Sequence, residues 1–383
     1  MKIVIAPDSF KGSMSSMAII KTIREVAEHC IDSVQITEVP IADGGEGTIE
    51  AIIHANNGRI EKRYVTNPLG ETIEAVYGIV EDTAIIEMAV CSGVTLIKSG
   101  HRSPLNTTSY GTGEMIKHVL DDGFRKIIIG IGGSATNDGG MGAMQALGVR
   151  YFTKDHEEID YMCGKELIHI SRIDLSELDP RISDCDISVM CDVTNPLTGP
   201  LGATYVYGGQ KGGNQEDLAF LESGMLHYEK LINTLGKSSS SMPISKTPGA
   251  GAAGGMGAAL MVYLSAKLVS GIEAILEVAE FGKKIEDADM IITGEGRVDG
   301  QSASGKVVHG VTEYANKYNI PVIVIAGGVG NGYEAVYDIG VKAIMTLPNQ
   351  PMDLEYCMDN TKQLLEEAAY NVFRLIKVGM HIK

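Results

Sequence analysis

The sequence contains no tryptophan, and aromatic residues make up only 5% of its 383 positions. It therefore offers no obvious platform on which a flavin ring could stack. It is also short of basic residues, with 32 Lys and Arg against 49 Asp and Glu, a formal charge of −17. Nucleic acids and anionic membranes need a basic surface, so the charge argues against both as partners. A small anionic substrate remains compatible, because a site can be locally basic. The six cysteines, Cys30, Cys91, Cys163, Cys185, Cys191 and Cys357, form no C-x-x-C pair. That excludes a zinc knuckle and a thioredoxin motif, and scattered thiols point to a reducing compartment. The nine histidines form no H-E-x-x-H. No apolar run approaches the ~20 residues of a membrane helix. Met1 to Ala6 turns polar too soon for a signal peptide. The expectation is a cytoplasmic protein.

What is present is a rhythm of short apolar runs ending in glycine-rich or acidic loops. Ile3 to Ala6 reads as a buried strand that breaks at Pro7-Asp8. Met17, Ile20, Ile23, Val26 and Ala27 recur at helical spacing, and Val34 to Val39 is a second strand. The loop Asp43-Gly44-Gly45-Glu46-Gly47-Thr48 then opens another helix. This βαβα order implies parallel strands with crossover helices. From Gly58 the pattern changes to short strands, Arg59 to Val65, Thr72 to Val80 and Thr83 to Met88, with turn signals between them, which favours antiparallel pairing. Helices are expected near Ser109 to Leu120, Met141 to Leu147 and Gln215 to Leu235, and strands at Lys126 to Gly130 and Ile187 to Cys191. Gly236 to Pro243 is the most linker-like stretch. The βα rhythm returns with strands at Met290 to Thr293, Pro321 to Ala326 and Ala343 to Leu347, and a closing helix over 359–377. The fold class is α/β. A flavodoxin-like parallel sheet domain is built from residues 1–58 and 283–383. An α/β domain of mixed sheet, residues 59–282, is inserted in it.

In an open parallel sheet ligands bind beyond the carboxyl ends of the strands, where strand order reverses. For the order 2-1-3-4-5, that point lies between the first strand and the strand at residue 291. The loops there carry Asp8, Ser9, Lys11 and Ser13, and Glu295, Arg297 and Asp299, with Asp43 and Glu46 on the neighbouring loop. Phosphoryl transfer uses this mixture: carboxylates hold Mg²⁺ or take a hydroxyl proton, and cations neutralise phosphate or anchor a carboxylate. Each Asp can equally cap a helix or turn. Gly132-Gly133-Ser134-Ala135-Thr136 stands between a strand and a helix, and Gly249 to Gly257 stands before a helix. Such loops can line an anion with free amides, or serve only tight turns and close packing. Gly300 to Val307 reads G-x-x-x-x-G-K with Val where a P-loop needs Ser or Thr, so a nucleotide role there is discounted. Lys306 can still meet a phosphate or carboxylate. Asp192-x-x-Asn195-Pro196 suits a metal or a hydroxyl-bearing substrate, or an Asx-turn.

Six segments, taken together and in order, resemble the signatures of the bacterial glycerate kinase family. They are Ala6 to Ser13, Ala42 to Thr48, Gly132 to Gly140, Cys191 to Leu197, Gly249 to Gly255 and Thr293 to Asp299. The resemblance implies ATP-dependent phosphorylation of (R)-glycerate to 2- or 3-phosphoglycerate, in the cleft between two α/β domains. Placement and chemistry then assign the roles. Asp8, Lys11, Asp192 and Arg297 are catalytic, with Asp8 or Asp192 orienting or deprotonating the hydroxyl. Ser9, Ser13, Asn195 and Lys306 bind substrate. Gly132, Gly133, Ser134, Thr136, Gly251, Gly254 and Gly255 receive ATP, and Asp43, Glu295 and Asp299 hold Mg²⁺. The enzyme is expected to be a monomer or homodimer. The rival readings are a flavin-binding electron carrier, a non-catalytic hydroxy-acid sensor and, more weakly, a dehydrogenase, for which the dinucleotide fingerprint fails.

Overall fold

A computed structural model of the chain describes residues 1–41, 52–53, 58–235 and 243–381. The expected loop from Asp43 to Thr48, and residues 236–242 of the linker-like stretch, lie outside the described residues. The chain falls into two compact units, residues 1–57 with 271–383, and residues 58–270.

The first unit begins with β1 (Lys2–Ile5), α1 (Ser16–Cys30) and β2 (Gln35–Glu38). Ser15 caps α1 by accepting a hydrogen bond from the Ala18 amide, and Ile19, Ile20, Ile23, Val26 and Ala27 bury one helix face.

The second unit carries β3 (Arg59–Thr66), β4 (Thr72–Val80), β5 (Thr83–Glu87), α2 (Met88–Ser92), α3 (Tyr110–Asp121), β6 (Lys126–Gly130) and α4 (Met141–Ala146). There follow β7 (Arg150–Phe152), β8 (Arg172–Asp174), β9 (Asp186–Met190), α5 (Ala203–Tyr207), α6 (Gln215–Thr234), α7 (Ala252–Leu264) and β10 (Lys267–Val269). Its main sheet has the order β10-β9-β6-β5-β4-β3. The pairs β3–β4 and β4–β5 are antiparallel, and β5–β6, β6–β9 and β9–β10 are parallel. The sheet is therefore mixed. Strands β7 and β8 form a separate antiparallel pair. A continuous core runs through Tyr77, Ile86, Met115, Ile127, Ile129, Met144 and Leu260.

The chain then returns to the first unit through α8 (Gly271–Val278) and α9 (Phe281–Ile285). It goes on to β11 (Met290–Glu295), α10 (Val307–Lys317), β12 (Val322–Ala326), α11 (Ala335–Asp338), β13 (Val341–Thr346), α12 (Leu354–Asp359) and α13 (Thr361–His381). The return falls at residue 271 rather than 283. The reason is packing: Ile272 lies against Gly310 of α10, and the Phe281 ring meets Tyr314 edge-on at 5.8 Å. The five strands run β13-β12-β11-β1-β2, all parallel. This is the 2-1-3-4-5 order, with its reversal between β1 and β11. All six residues of β11 are buried, and its first three, Met290 to Ile292, read as an unbroken apolar run. Ile3, Ile5, Ile19, Ile23, Leu365 and Phe373 share one core, each buried side chain contributing roughly 1.5–3 kcal/mol.

Candidate active site

The β1 ladder continues past the strand itself. The Ala6 amide donates to the Ile292 carbonyl and the Asp8 amide to the Gly294 carbonyl, both at 2.8 Å. The Thr293 hydroxyl donates to the Ala6 carbonyl at 2.7 Å. Asp8 is thereby held beside the end of β11, where Glu295 stands. Both are buried, Asp8 at 6% and Glu295 at 7% exposure. Glu295 Oε1 has no hydrogen-bond partner among the described residues. Burial pushes the Glu295 carboxyl up from its ordinary range. The Ser302 hydroxyl and Lys306 oppose that rise, and the charges of Asp8 and Asp299 add to it. Four of the expected residues, Asp8, Glu295, Asp299 and Lys306, thus share one electrostatic neighbourhood.

The other residues of this end are held in different ways. Asp299 caps the turn Gly300–Ala303, accepting from the Gln301 amide at 2.9 Å, so the capping role is present in full. The Ser9 amide donates to Asp8 Oδ1 at 2.7 Å. Lys11 is exposed on the turn 10–14. The Ser13 hydroxyl donates to the Phe10 carbonyl at 3.0 Å, and Ser13 lines a hollow of about 710 Å³ against α12, with Leu354, Glu355, Met358 and Asp359. The Arg297 guanidinium lies over Gly330, where an added Cβ would come within 2.7 Å of Nε. In the P-loop-like stretch, Gly300–Ala303 is a 3₁₀ turn, and Lys306 occupies the N-cap position of α10 without a side-chain cap. Among the described residues no three His, Cys, Asp or Glu side chains are grouped so as to hold a metal. Asp43 lies outside the described residues.

In the second unit the loop after β6 divides sharply. Gly132 and Gly133 form an exposed tip, and Ser134 to Gly140 are buried. The tip is tied to α2 by the Ala135 amide donating to the Ser92 carbonyl at 2.9 Å and the Val94 amide to the Gly133 carbonyl at 2.8 Å. Beneath it lies Lys211, 2% exposed, donating through Nζ to Ser134 Oγ at 2.8 Å and to the Thr136 carbonyl at 2.6 Å. Burial pushes the Lys211 amine down to about 7, against the charge of Asp138. Asp138, fully buried, accepts from the Ser109 amide and hydroxyl and from the amides of Gly140 and Gly142. Burial raises its carboxyl and those four donors hold it down. Thr136 Oγ1 and Asn137 Oδ1 are buried without a partner among the described residues.

The second glycine loop serves packing. Gly254 has φ of 71°, and a Cβ there would come within 2.1 Å of the Thr136 carbonyl oxygen. Gly255 lies against Gly139, and Gly251 against the Pro196 carbonyl. All three are buried. Their missing side chains bring the 249–257 segment onto the 132–140 loop and the turn at Pro196. Asn195 is engaged at both ends: Nδ2 donates to the Leu201 carbonyl at 2.9 Å and Oδ1 accepts from the Tyr207 hydroxyl at 2.5 Å. It therefore holds the turn, and Asp192 is exposed on the same segment. Lys211 and Asp138 were given no role by the sequence reading. The available signal was a lysine inside Gly208-Gly209-Gln210-Lys211-Gly212-Gly213, since a charge set among that many glycines has little surface to shield it except the neighbouring backbone.

A parallel sheet with acidic groups at its switch point, and a second unit with a glycine tip over a buried lysine, define a class of phosphotransferring α/β proteins. Comparison with known proteins narrows this. The model of the glycerate kinase family matches residues 3–377. A glycerate kinase of Halalkalibacterium halodurans is 45% identical over 373 residues, 97% of each chain. A glycerate 2-kinase of Escherichia coli K12 is 44% identical over 99% of each. A solved structure from Salmonella typhimurium LT2, provisionally called a glycerate kinase 2, superposes with a TM-score of 0.86 at 42% identity, over 100% of this chain and 99% of that one. The chain belongs to the glycerate kinase family and has glycerate kinase activity. No helix among the described residues is long and apolar enough to cross a membrane.

Proposed function

We propose that the enzyme transfers the γ-phosphoryl group of Mg-ATP to (R)-glycerate in the cytoplasm and releases 2-phosphoglycerate. The observation that carries this reading is Glu295, a buried carboxylate with one oxygen unpartnered among the described residues, set among Asp8, Asp299 and Lys306. An orphaned acidic oxygen in a field of like charge suits a divalent cation. Glu295 and Asp299, with Asp43, would hold Mg²⁺, which supplies charge neutralisation for the phosphates. Lys11 and Arg297 anchor the glycerate carboxylate, with Ser9, Ser13 and Lys306 around it. Asp8 orients and deprotonates the attacking hydroxyl, for which burial beside the end of β11 suits it better than the exposed Asp192. Phosphates of the nucleotide lie on the Gly132–Gly133 tip with Ser134 and Thr136. Gly251, Gly254, Gly255 and Asn195 keep that loop and its neighbouring turn in shape. The experiment is a ¹H and ³¹P NMR assignment of the product formed from Mg-ATP and (R)-glycerate. Phosphorus coupled to the C2 proton supports the proposal, and coupling to the C3 methylene protons would replace it with 3-phosphoglycerate.

A further inference from the structure

The charge that faces a bound phosphate in the second unit has no evident source at the tip itself, where Gly132 and Gly133 carry no side chains. The buried neighbour beneath supplies one. Lys211 reaches its position because the turn 208–213 is nearly all glycine and packs flat: a Cβ on Gly212 would come within 2.4 Å of the Arg102 carbonyl. A lysine 2% exposed is costly to keep charged, and its bonds to Ser134 Oγ and the Thr136 carbonyl are to uncharged groups. Such an arrangement is expensive for packing alone, where a methionine would fill the same volume without desolvation. We propose that Lys211 is the positioning cation of the nucleotide site: its ammonium fixes Ser134 and Thr136 behind the Gly132–Gly133 tip and places a positive charge under an anionic phosphate bound there.

This rests on the reading that phosphates bind at that tip, and it adds a consequence that reading does not contain. The charged group bearing on Lys211 is Asp138 from the 132–140 loop, and the segment packed on Gly212 meets it through the Arg102 backbone carbonyl. With its amine lowered to about 7 by burial, Lys211 is divided between charged and neutral forms near neutrality in the free enzyme. An arriving phosphate favours the charged form, so nucleotide binding draws in a proton above neutral pH. A lysine that served only packing would bind no such proton.

The test is calorimetric titration of the whole enzyme with Mg-ATP at pH 8, in two buffers of different ionisation enthalpy. The expected result is net uptake of a substantial fraction of a proton per ATP, with affinity weakening as pH rises from 7 to 9. Lys211→Met is expected to lose at least tenfold in ATP affinity at pH 7, to show no uptake, and to keep the KM for glycerate within about twofold. Absence of proton uptake by the wild-type enzyme overturns the proposal, whether or not the variant folds. So does a folded Lys211→Met with unchanged ATP affinity. Gly132→Asp separates this from the underlying reading. A Cβ there meets nothing within 4 Å, so the change adds only a negative charge at the tip. If Gly132→Asp binds ATP normally, the tip is not the phosphate site and both ideas fall. If it abolishes binding while the wild type takes up no proton, only the role of Lys211 falls.

Discussion

Asp138 and Ser109 are bonded twice through one oxygen: Oδ2 of the aspartate accepts the serine amide at 2.8 Å and its hydroxyl at 2.7 Å. The bond joins the start of α3 to the loop after β6, and Gly140 and Gly142 complete the ring of donors. Asp138→Asn would turn an NH2 group toward backbone amides that can only donate. The expected cost is about 2–4 kcal/mol of stability, from donors left buried and unpaired. Chemical denaturation followed by circular dichroism measures it, and an unchanged midpoint would show that the loop repacks around the amide.

Gly254→Ala tests the packing of the two glycine loops. The new Cβ would sit 2.1 Å from the Thr136 oxygen, at a positive φ. Strain and overpacking together predict a loss of about 3 kcal/mol or more. The Thr136 carbonyl also receives Lys211, so ATP affinity should fall in the protein that still folds.

Asp8→Asn removes the proton acceptor and leaves the shape. The expected fall in kcat is roughly 10²–10⁴-fold, the range of general-base losses, with an unaltered far-ultraviolet spectrum. Near-normal turnover would take Asp8 out of the mechanism.

Glu295→Gln should trade activity for stability. Burial holds the folded carboxyl above its ordinary 4.5, so the folded state carries a cost whenever the group is ionised. That cost is present above the folded value and disappears as pH falls through it toward 4.5. In EDTA the variant should therefore be more stable than the wild type near pH 8, a gain that fades in acid. Its kinase activity should be severely reduced. Melting curves across pH decide the first point, and a gain that grows in acid would contradict it.

Much of the first unit was legible because its central strands, β1, β11 and β12, are buried on both faces. Ile3 to Ala6 and Met290 to Thr293 stand out as apolar runs, and the observed order β2-β1-β11-β12-β13 is the one assumed for a flavodoxin-like sheet. The antiparallel start of the second unit was legible from its turns, as β3 to β5. Strands β7, β8 and β10 were not, because three residues are too few to establish a period. The placement of Asp8 beside Glu295 was legible from strand ends. Lys211 was not, because a lysine in a glycine turn looks like a solvated one until the backbone that buries it is known. The Gly251, Gly254 and Gly255 segment misled in the other direction: a glycine that admits a phosphate and one that admits a neighbouring carbonyl read alike.

Because β1 and β11 pair, the Thr293 hydroxyl meets the Ala6 carbonyl across 287 residues of chain. On a ribosome adding about 5–20 residues per second, the first strand waits some tens of seconds for its neighbour to be made. During that wait Ile3, Val4 and Ile5 have an open edge toward the missing strand. Residues 58–270 carry their own core and can fold meanwhile. The acidic cluster at the β1–β11 switch point thus comes into being only after the whole second unit has been made, and a translation product interrupted before residue 290 would hold the glycine tip without that cluster.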